Sequence, residues 1–231
     1  LADARTGEIL ANVGSSDLLD QRRSGWIDMT KVTRSPGSTL KPFIYALALE
    51  DGLVMPQTLI SDRPENFDGY RPGNFDMTYQ GDVTVREALQ LSLNIPAIRL
   101  LSATGPGRLL GRLHRARAVL DLPDDTAPGL AIGLGGIGIT LTDLVQAYTV
   151  FPNRGRAAIL GDGITSEPSP PRRKTFTAVA AWHVTDMLKG VAPPADNARL
   201  PVAYKTGTSY GYRDAWSVGF DGRHVLGIWV G

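Results

Sequence analysis

The sequence predicts an α+β domain in which both ends of the chain share one antiparallel sheet and helices fill the middle. Three observations carry that class. The first residues read as a strand entering a turn, the stretch after Val202 alternates in strand fashion, and the long middle holds several helix-start signatures. With 231 residues and 42% hydrophobic content the chain can bury a substantial core, and no charge run or low-complexity tract divides it.

The elements follow in order. Leu1 to Ala4, a turn around Arg5-Thr6-Gly7, and Ile9 to Val13 form a hairpin pattern. Ser35-Pro36-Gly37 breaks the chain, and from Ser38 the composition is helical as far as Gly52, with Pro42 tolerable only near the first turn. Residues 56 to 82 are rich in Pro, Gly, Asn and Asp and read as an irregular excursion. Thr84-Val85-Arg86-Glu87 is a capping box opening a helix through Leu91, and Pro96 suits the first turn of the next helix, so Ser92 to Asn94 lies at a helix junction. A second box-like start, Thr140 to Asp143, opens a helix to Phe151. Pro168 to Arg173 reads as a turn-rich connector before a helix from Thr177 to Lys189. Strands are expected at Val202–Ser209, Ala215–Phe220 and His224–Val230, the last two joined by a turn at Asp221-Gly222.

Composition narrows the function classes. The formal net charge is +1 and the basic residues are dispersed, which leaves no footprint for nucleic acid or an anionic membrane surface. The absence of cysteine rules out disulfides and thiolate metal sites. His114, His183 and His224 have no carboxylate spacing of a metal site and no serine-elbow context, so neither a metal nor a Ser-His-Asp triad is expected. Gly133 to Gly138 fits a G-x-G-x-x-G string, yet no acidic residue follows about 20 positions on, so it reads as a tight turn and no cofactor is expected. Trp182, Trp216 and Trp229 fall on apolar faces and read as core or cleft wall. No apolar run reaches membrane-spanning length. A first residue of Leu1 instead of Met, inside an apparent strand, suggests an excised piece of a longer protein, and the apolar His224–Val230 strand is expected to need a cover.

Three short motifs carry chemistry: Ser38-Thr39-Leu40-Lys41, Ser92-Leu93-Asn94 and Lys205-Thr206-Gly207. A serine hydroxyl is a poor nucleophile until a nearby base takes its proton, and Lys41 lies one helical turn after Ser38, so hydrogen-bond reach between them is expected. A lysine acting as base near neutrality must titrate about 3.4 pH units below its unperturbed value, roughly 4.6 kcal/mol, so burial and a second positive charge are needed. Lys205 is the candidate for that charge. The Ser38 amide at a helix start and the Thr208 amide after Gly207 are candidate donors to a developing oxyanion. Ser92 offers a hydroxyl for proton shuttling and Asn94 an amide for a substrate peptide group. Taken singly, each has a bland reading: Ser38 as an N-cap, Lys41 as a solvated first-turn residue, Ser92 and Asn94 as caps, Lys205 as an exposed strand residue. The joint order of the motifs, on a helix start, a junction and a strand, favours the chemical reading.

The same order is the signature set of penicillin-binding proteins and class A β-lactamases. The chain resembles the transpeptidase domain of class A penicillin-binding proteins, most closely the 1C type, through Arg34 to Phe43, Tyr70-Arg71-Pro72-Gly73-Asn74-Phe75, Ala88 to Ala97, Lys205 to Ser209 and Tyr212 to Trp216. The resemblance implies a penicillin-recognising fold, with a five-stranded antiparallel sheet beside a mainly helical subdomain. It would assign residues 1–231 to one transpeptidase domain truncated at both ends, the sheet subdomain at about 1–35 and 175–231 and the helical subdomain at about 36–174. It implies acyl transfer on D-alanyl-D-alanine stem peptides and covalent penicillin binding, on the periplasmic side or outer face of the cytoplasmic membrane, held there through an anchor absent from this chain. Ser38 would be acylated, Lys41 would be the base, Ser92 and Asn94 the second motif, and Lys205, Thr206 and Thr208, with Gly207 between, the binders of the substrate carboxylate. Leu93 stands where β-lactamases more often have Asp, and no glutamate sits in a deacylation-loop setting, which favours a transpeptidase over an antibiotic hydrolase. A β-lactamase or β-lactam sensor on the same fold, and a catalytically idle peptidoglycan-binding domain, are the alternative readings.

Overall fold

A computed structural model describes residues 1–75, 77–122, 129–193 and 201–231. Strand β1 covers Ala2–Asp3, and a 3-10 turn at Gly37–Leu40 runs directly into helix α1, Lys41–Glu50. Strands β2 (Leu59–Asp62) and β3 (Gly81–Thr84) precede helices α2 (Val85–Gln90), α3 (Asn94–Thr104) and α4 (Pro106–Arg115). Short strands β4 (Leu120–Asp121) and β5 (Gly138–Ile139) lead to helix α5 (Leu141–Tyr148). Strands β6 (Arg156–Ile159) and β7 (Ser169–Lys174), helix α6 (Ala178–Lys189), and strands β8 (Ala203–Thr208), β9 (Ala215–Phe220) and β10 (His224–Val230) complete the order.

The main sheet runs β1-β10-β9-β8, antiparallel throughout, so the two ends of the chain do share one sheet. Helix α1 is the hub. Nine of its ten residues, Lys41 to Leu49, are buried, and an element apolar on all sides belongs in a core. Phe43 packs on Tyr148, Phe151 and Phe176 with ring centroids 5.3, 5.1 and 6.4 Å away, which ties α1 to α5 and to the entry of α6. Full burial of each such ring contributes about 1.5–3 kcal/mol. The capping box at Thr84 and Glu87 forms as the sequence predicts, and Thr140 and Thr177 cap α5 and α6.

Several expectations are corrected. Among the described residues the sheet has four strands, because Ile9–Val13 divides its hydrogen bonds: Ile9 N–H goes to Gly161 O, while Leu10 and Ala11 N–H go to Leu1 O. A single short partner strand cannot hold that arm in a regular ladder. The excursion at 56–82 contains the paired strands β2 and β3, with Ile60 and Asp62 on its buried face. The connector at Pro168–Arg173 is mostly strand β7, whose register skips Pro170 and Pro171 by a shift between Ala157 and Ile159, since prolines have no N–H for a ladder. Helix α4, joined to α3 through Gly105, went unforeseen. Trp182 is 61% exposed, because the buried stripe of α6 runs through Ala180, Ala181, Val184, Met187 and Leu188 and leaves it on the opposite face.

Candidate active site

Ser38 lies in the 3-10 turn, three residues before the α-helix that the sequence starts at Ser38. Pro42 is the cause: without an N–H it cannot bond the Ser38 carbonyl, and the Lys41 N–H takes that carbonyl in a tighter bond instead. The turn is fixed from every side. Trp216 Nε1 donates to Ser35 O at 2.8 Å, Ser35 Oγ to Gly135 O at 2.7 Å, Thr39 Oγ1 to Pro36 O at 2.9 Å and Tyr148 Oη to Thr39 O at 2.6 Å. Glycines let three backbones close on one another. A Cβ on Gly37, whose φ is +53°, would stand 2.3 Å from Thr208 O, one on Gly207 would stand 2.5 Å from Pro36 O, and one on Gly135 would stand 2.5 Å from Gly37 N. Ser38 is thereby held against the strand that carries Lys205 and Thr208.

Among the described residues that strand is an edge. The Ser209 N–H pairs with Asp214 O, so Lys205 and Gly207 use their backbone groups on β9, and Thr206 and Thr208 turn theirs to the open side. Thr206 is exposed, Thr208 half-buried, and Lys205 and Gly207 are buried on the other face. The Ser38 N–H makes no hydrogen bond among the described residues, so two backbone donors stand on this side of the cleft.

The two lysines converge on Ser92. Lys205 Nζ donates to Ser92 Oγ at 2.7 Å and to Thr206 O at 2.8 Å. Lys41 Nζ donates to Ser92 O and to Asn94 Oδ1, the latter at 2.6 Å, and lies 3.4 Å from Ser92 Oγ. Ser92 presents these groups because it has a φ of +59° just past the end of α2. Lys41 is wholly buried, and desolvation, reinforced by the charge of Lys205, pushes its pKa well below the ordinary lysine range, with Asp62 opposing. Desolvation brings Lys205 down to about 7.

Of the residues singled out by sequence, Lys41, Ser92, Asn94 and Lys205 form one hydrogen-bonded cluster, with Ser38, Gly207 and Thr208 packed beside it. Among the described residues no Ser38–Lys41 hydrogen bond forms, and the Lys41 amine bonds Ser92 and Asn94. Catalytic bonds of this kind are often long before substrate binds. Sequence reasoning missed Asp62 and Asn74, which stand behind Asn94. At the rim, Phe75 and Tyr212 meet edge-on with centroids 5.1 Å apart, linking the segment after β2 to the turn after β8. Among the described residues no cluster of His, Asp or Glu could hold a metal ion.

Comparison with known proteins bears on the family and the fold. Residues 1–231 match the penicillin binding protein transpeptidase domain. Penicillin-binding protein 1C of Escherichia coli is 44% identical over 225 residues, which cover 95% of this chain and 29% of that protein. Penicillin-binding protein 1F of Bacillus subtilis is 30% identical over 98% of this chain and 34% of its own length. The chain therefore spans about a third or less of these relatives. The penicillin-binding protein PonA1 of Mycobacterium tuberculosis superposes with a TM-score of 0.79 over 99% of this chain and 66% of that one, at 22% identity, a likeness of fold; PonA1 has also been solved in complex with penicillin V.

Proposed function

The chain belongs to the penicillin-binding protein transpeptidase domain family, and on that premise we propose that it is a serine D,D-transpeptidase of peptidoglycan with Ser38 as the nucleophile. The observation that carries the reading is the meeting of Lys41 and Lys205 on the Ser92 hydroxyl beside the Ser38 turn. Two desolvated amines at one hydroxyl are a proton relay, and they cost stability that a purely structural site has no reason to spend.

In this reading the Ser38 oxygen attacks the carbonyl between the two terminal D-alanines of a stem peptide. An O–C bond forms and the C–N bond breaks. The Ser38 proton passes to Lys41, and as Ser92 delivers its own proton to the departing D-alanine amine it takes a replacement from Lys41, which ends neutral. The Ser38 and Thr208 amides hold the oxyanion of the tetrahedral intermediate, a contribution worth about 3–4 kcal/mol per donor in other acyl-transfer sites. Lys205, Thr206 and Thr208 bind the terminal carboxylate, Gly207 lets the substrate approach the strand, and Asn94 holds the peptide amide. An amine of a neighbouring stem peptide then attacks the ester, forming a C–N bond, breaking the ester C–O bond and returning a proton to Ser38. A β-lactam enters the same first step and stays on as a slow ester. The substrate places the reaction outside the cytoplasm, at the periplasmic side or outer face of the membrane, and the whole of residues 1–231 acts as one domain, a sheet part and a helical part with the cleft between.

The test is to supply a stem pentapeptide ending in D-Ala-D-Ala together with an amine acceptor, and to follow D-alanine release and product mass. Release coupled to formation of the cross-linked peptide is expected, with a penicillin adduct that outlasts the assay. Rapid penicillin turnover without peptide transfer would instead favour the hydrolase, and no reaction with either compound would leave an idle binding domain.

A further inference from the structure

Asp62 and Asn74 belong to none of the three motifs, yet they stand directly behind the cluster. Asp62 is wholly buried at the end of β2, and Asn74 is 4% exposed. Asn74 Nδ2 lies 2.9 and 2.8 Å from the two Asp62 oxygens and donates to Thr78 O at 2.8 Å, and the Gln80 N–H donates to Asp62 Oδ2 at 2.9 Å. A carboxylate accepts and cannot donate, so it fixes which end of the Asn74 amide faces it. Asn74 Oδ1 is thereby turned the other way, onto the Asn94 N–H at 2.8 Å. That N–H opens helix α3, whose own N-cap, Leu93, offers no side-chain partner. Asn94 in turn donates its Nδ2 to Gly73 O at 2.6 Å and accepts from Lys41 through Oδ1. One path of hydrogen bonds therefore runs from a buried carboxylate through two amides to the amine.

Charge follows the same path. Asp62 from β2 and Lys205 from β8 are the charged groups that act on Lys41, in opposite senses. Tyr45, one turn further along α1, is kept neutral by burial and by the same Asp62 charge, so it adds none.

Building on the acylation reading above, we propose that Asp62 and Asn74 are positioning residues: together they orient Asn94, and through it Lys41, and Asp62 supplies the negative charge that holds the amine in balance against Lys205. The Asn74 relay acts on geometry and the Asp62 carboxylate on both geometry and charge, so the two can be separated.

The experiment is the rate of acylation by a fluorescent penicillin from about pH 5 to about pH 10, with the melting temperature of each variant recorded. Asp62→Asn removes the charge that favours the ammonium form, so the acid limb of the profile moves down by about one pH unit. It also sets two Nδ2 groups face to face, lowering the plateau roughly tenfold to hundredfold. Asn74→Ala keeps the charge and loses the relay, so the plateau falls and the limb moves less. The swapped pair, Asp62→Asn with Asn74→Asp, restores a donor–acceptor contact between the two and keeps a carboxylate behind Asn94, while its new carboxylate loses the bond to Thr78 O, so it should recover part of the rate lost in Asp62→Asn. Should Asp62→Asn not fold, Asn74→Ala decides the positioning role. An unmoved limb and plateau in these variants, or a rate loss no larger than the unfolded fraction, overturns this inference while the parent still acylates at Ser38. A parent that takes no adduct at Ser38 overturns the acylation reading first, and this inference with it.

Discussion

Helices α1 and α2 end in the same way and are put to different uses. After α1 the Gly52 N–H bonds Leu49 O at 3.2 Å and the Leu53 N–H bonds Ala48 O at 3.0 Å. After α2 the Ser92 N–H bonds Leu89 O at 3.1 Å and the Leu93 N–H bonds Ala88 O at 3.0 Å. Both are the paired closure that calls for a left-handed residue, normally glycine. Gly52, at φ +70°, meets nothing within 4 Å where a Cβ would stand. Ser92 takes nearly the same turn at φ +59° with a side chain, at a cost of about 1 kcal/mol. The first end is built for stopping a helix; the second is strained so that one residue turns both its hydroxyl and its carbonyl onto two buried lysines. Left-handed backbone alone marks no site, since Arg117 closes α4 in the same conformation on the exposed surface. The lysines make the difference.

The comparison can be sharpened at several strengths. The largest effect is on chemistry: Ser92→Ala and Ser92→Gly should each slow penicillin acylation by about 10²–10⁴, the usual contribution of a proton-transfer group. Equal rates in parent and variants would remove Ser92 from the relay and leave its strain unexplained.

Next comes pH. Lys205 titrates near 7 when folded and near the ordinary lysine value when unfolded, so between those points the unfolded chain binds more protons and stability rises with pH. Lys41 contributes in the same direction. Melting temperatures taken at pH 7 and at about pH 9.5 should therefore increase in the parent, and Lys205→Met should flatten much of that rise. A parent whose stability is level or falling across this window would mean that the lysines are not desolvated as described.

The smallest effect isolates the strain itself. Ser92→Ala loses the hydroxyl and keeps the strain of a side chain on left-handed backbone, whereas Ser92→Gly loses both the hydroxyl and the strain, so the glycine variant should be the more stable of the two by about 1 kcal/mol. At the other helix end Gly52→Ala should cost a similar amount, about 1 kcal/mol, with acylation unchanged. Denaturant midpoints of the four proteins close the comparison. A Ser92→Ala variant as stable as Ser92→Gly would show that the turn at Ser92 carries no strain.

Much of this site is legible in the sequence because its parts are local. Ser38 and Lys41 lie within one turn, Ser92 and Asn94 flank one residue, and Lys205 to Thr208 follow along one strand, so spacing alone pairs residue types suited to serine acylation. The tertiary parts are not local. Asp62 and Asn74 are separated by a stretch dense in Gly, Pro and Asn, whose turn chemistry hides the β2–β3 pairing that buries them. The Ile60/Asp62 alternation was the available signal, and a charged residue on the buried face of a short strand is easily read as a loop residue. The 3-10 geometry at Ser38 depends on Pro42, visible in sequence as a helix-start residue, though its effect on the preceding carbonyl shows only once the turn is built. Likewise the prolines of β7 concealed a strand that survives by skipping them.

In the proposed reaction Ser38 is the residue that this arrangement activates. The most direct measurement is the intact mass of the parent chain and of Ser38→Ala after incubation with penicillin, followed by peptide mapping, with melting curves showing that both are folded. A single adduct is expected in the parent, mapped to the peptide containing Ser38, and none in Ser38→Ala. An adduct on any other residue, or one that persists in Ser38→Ala, would contradict it.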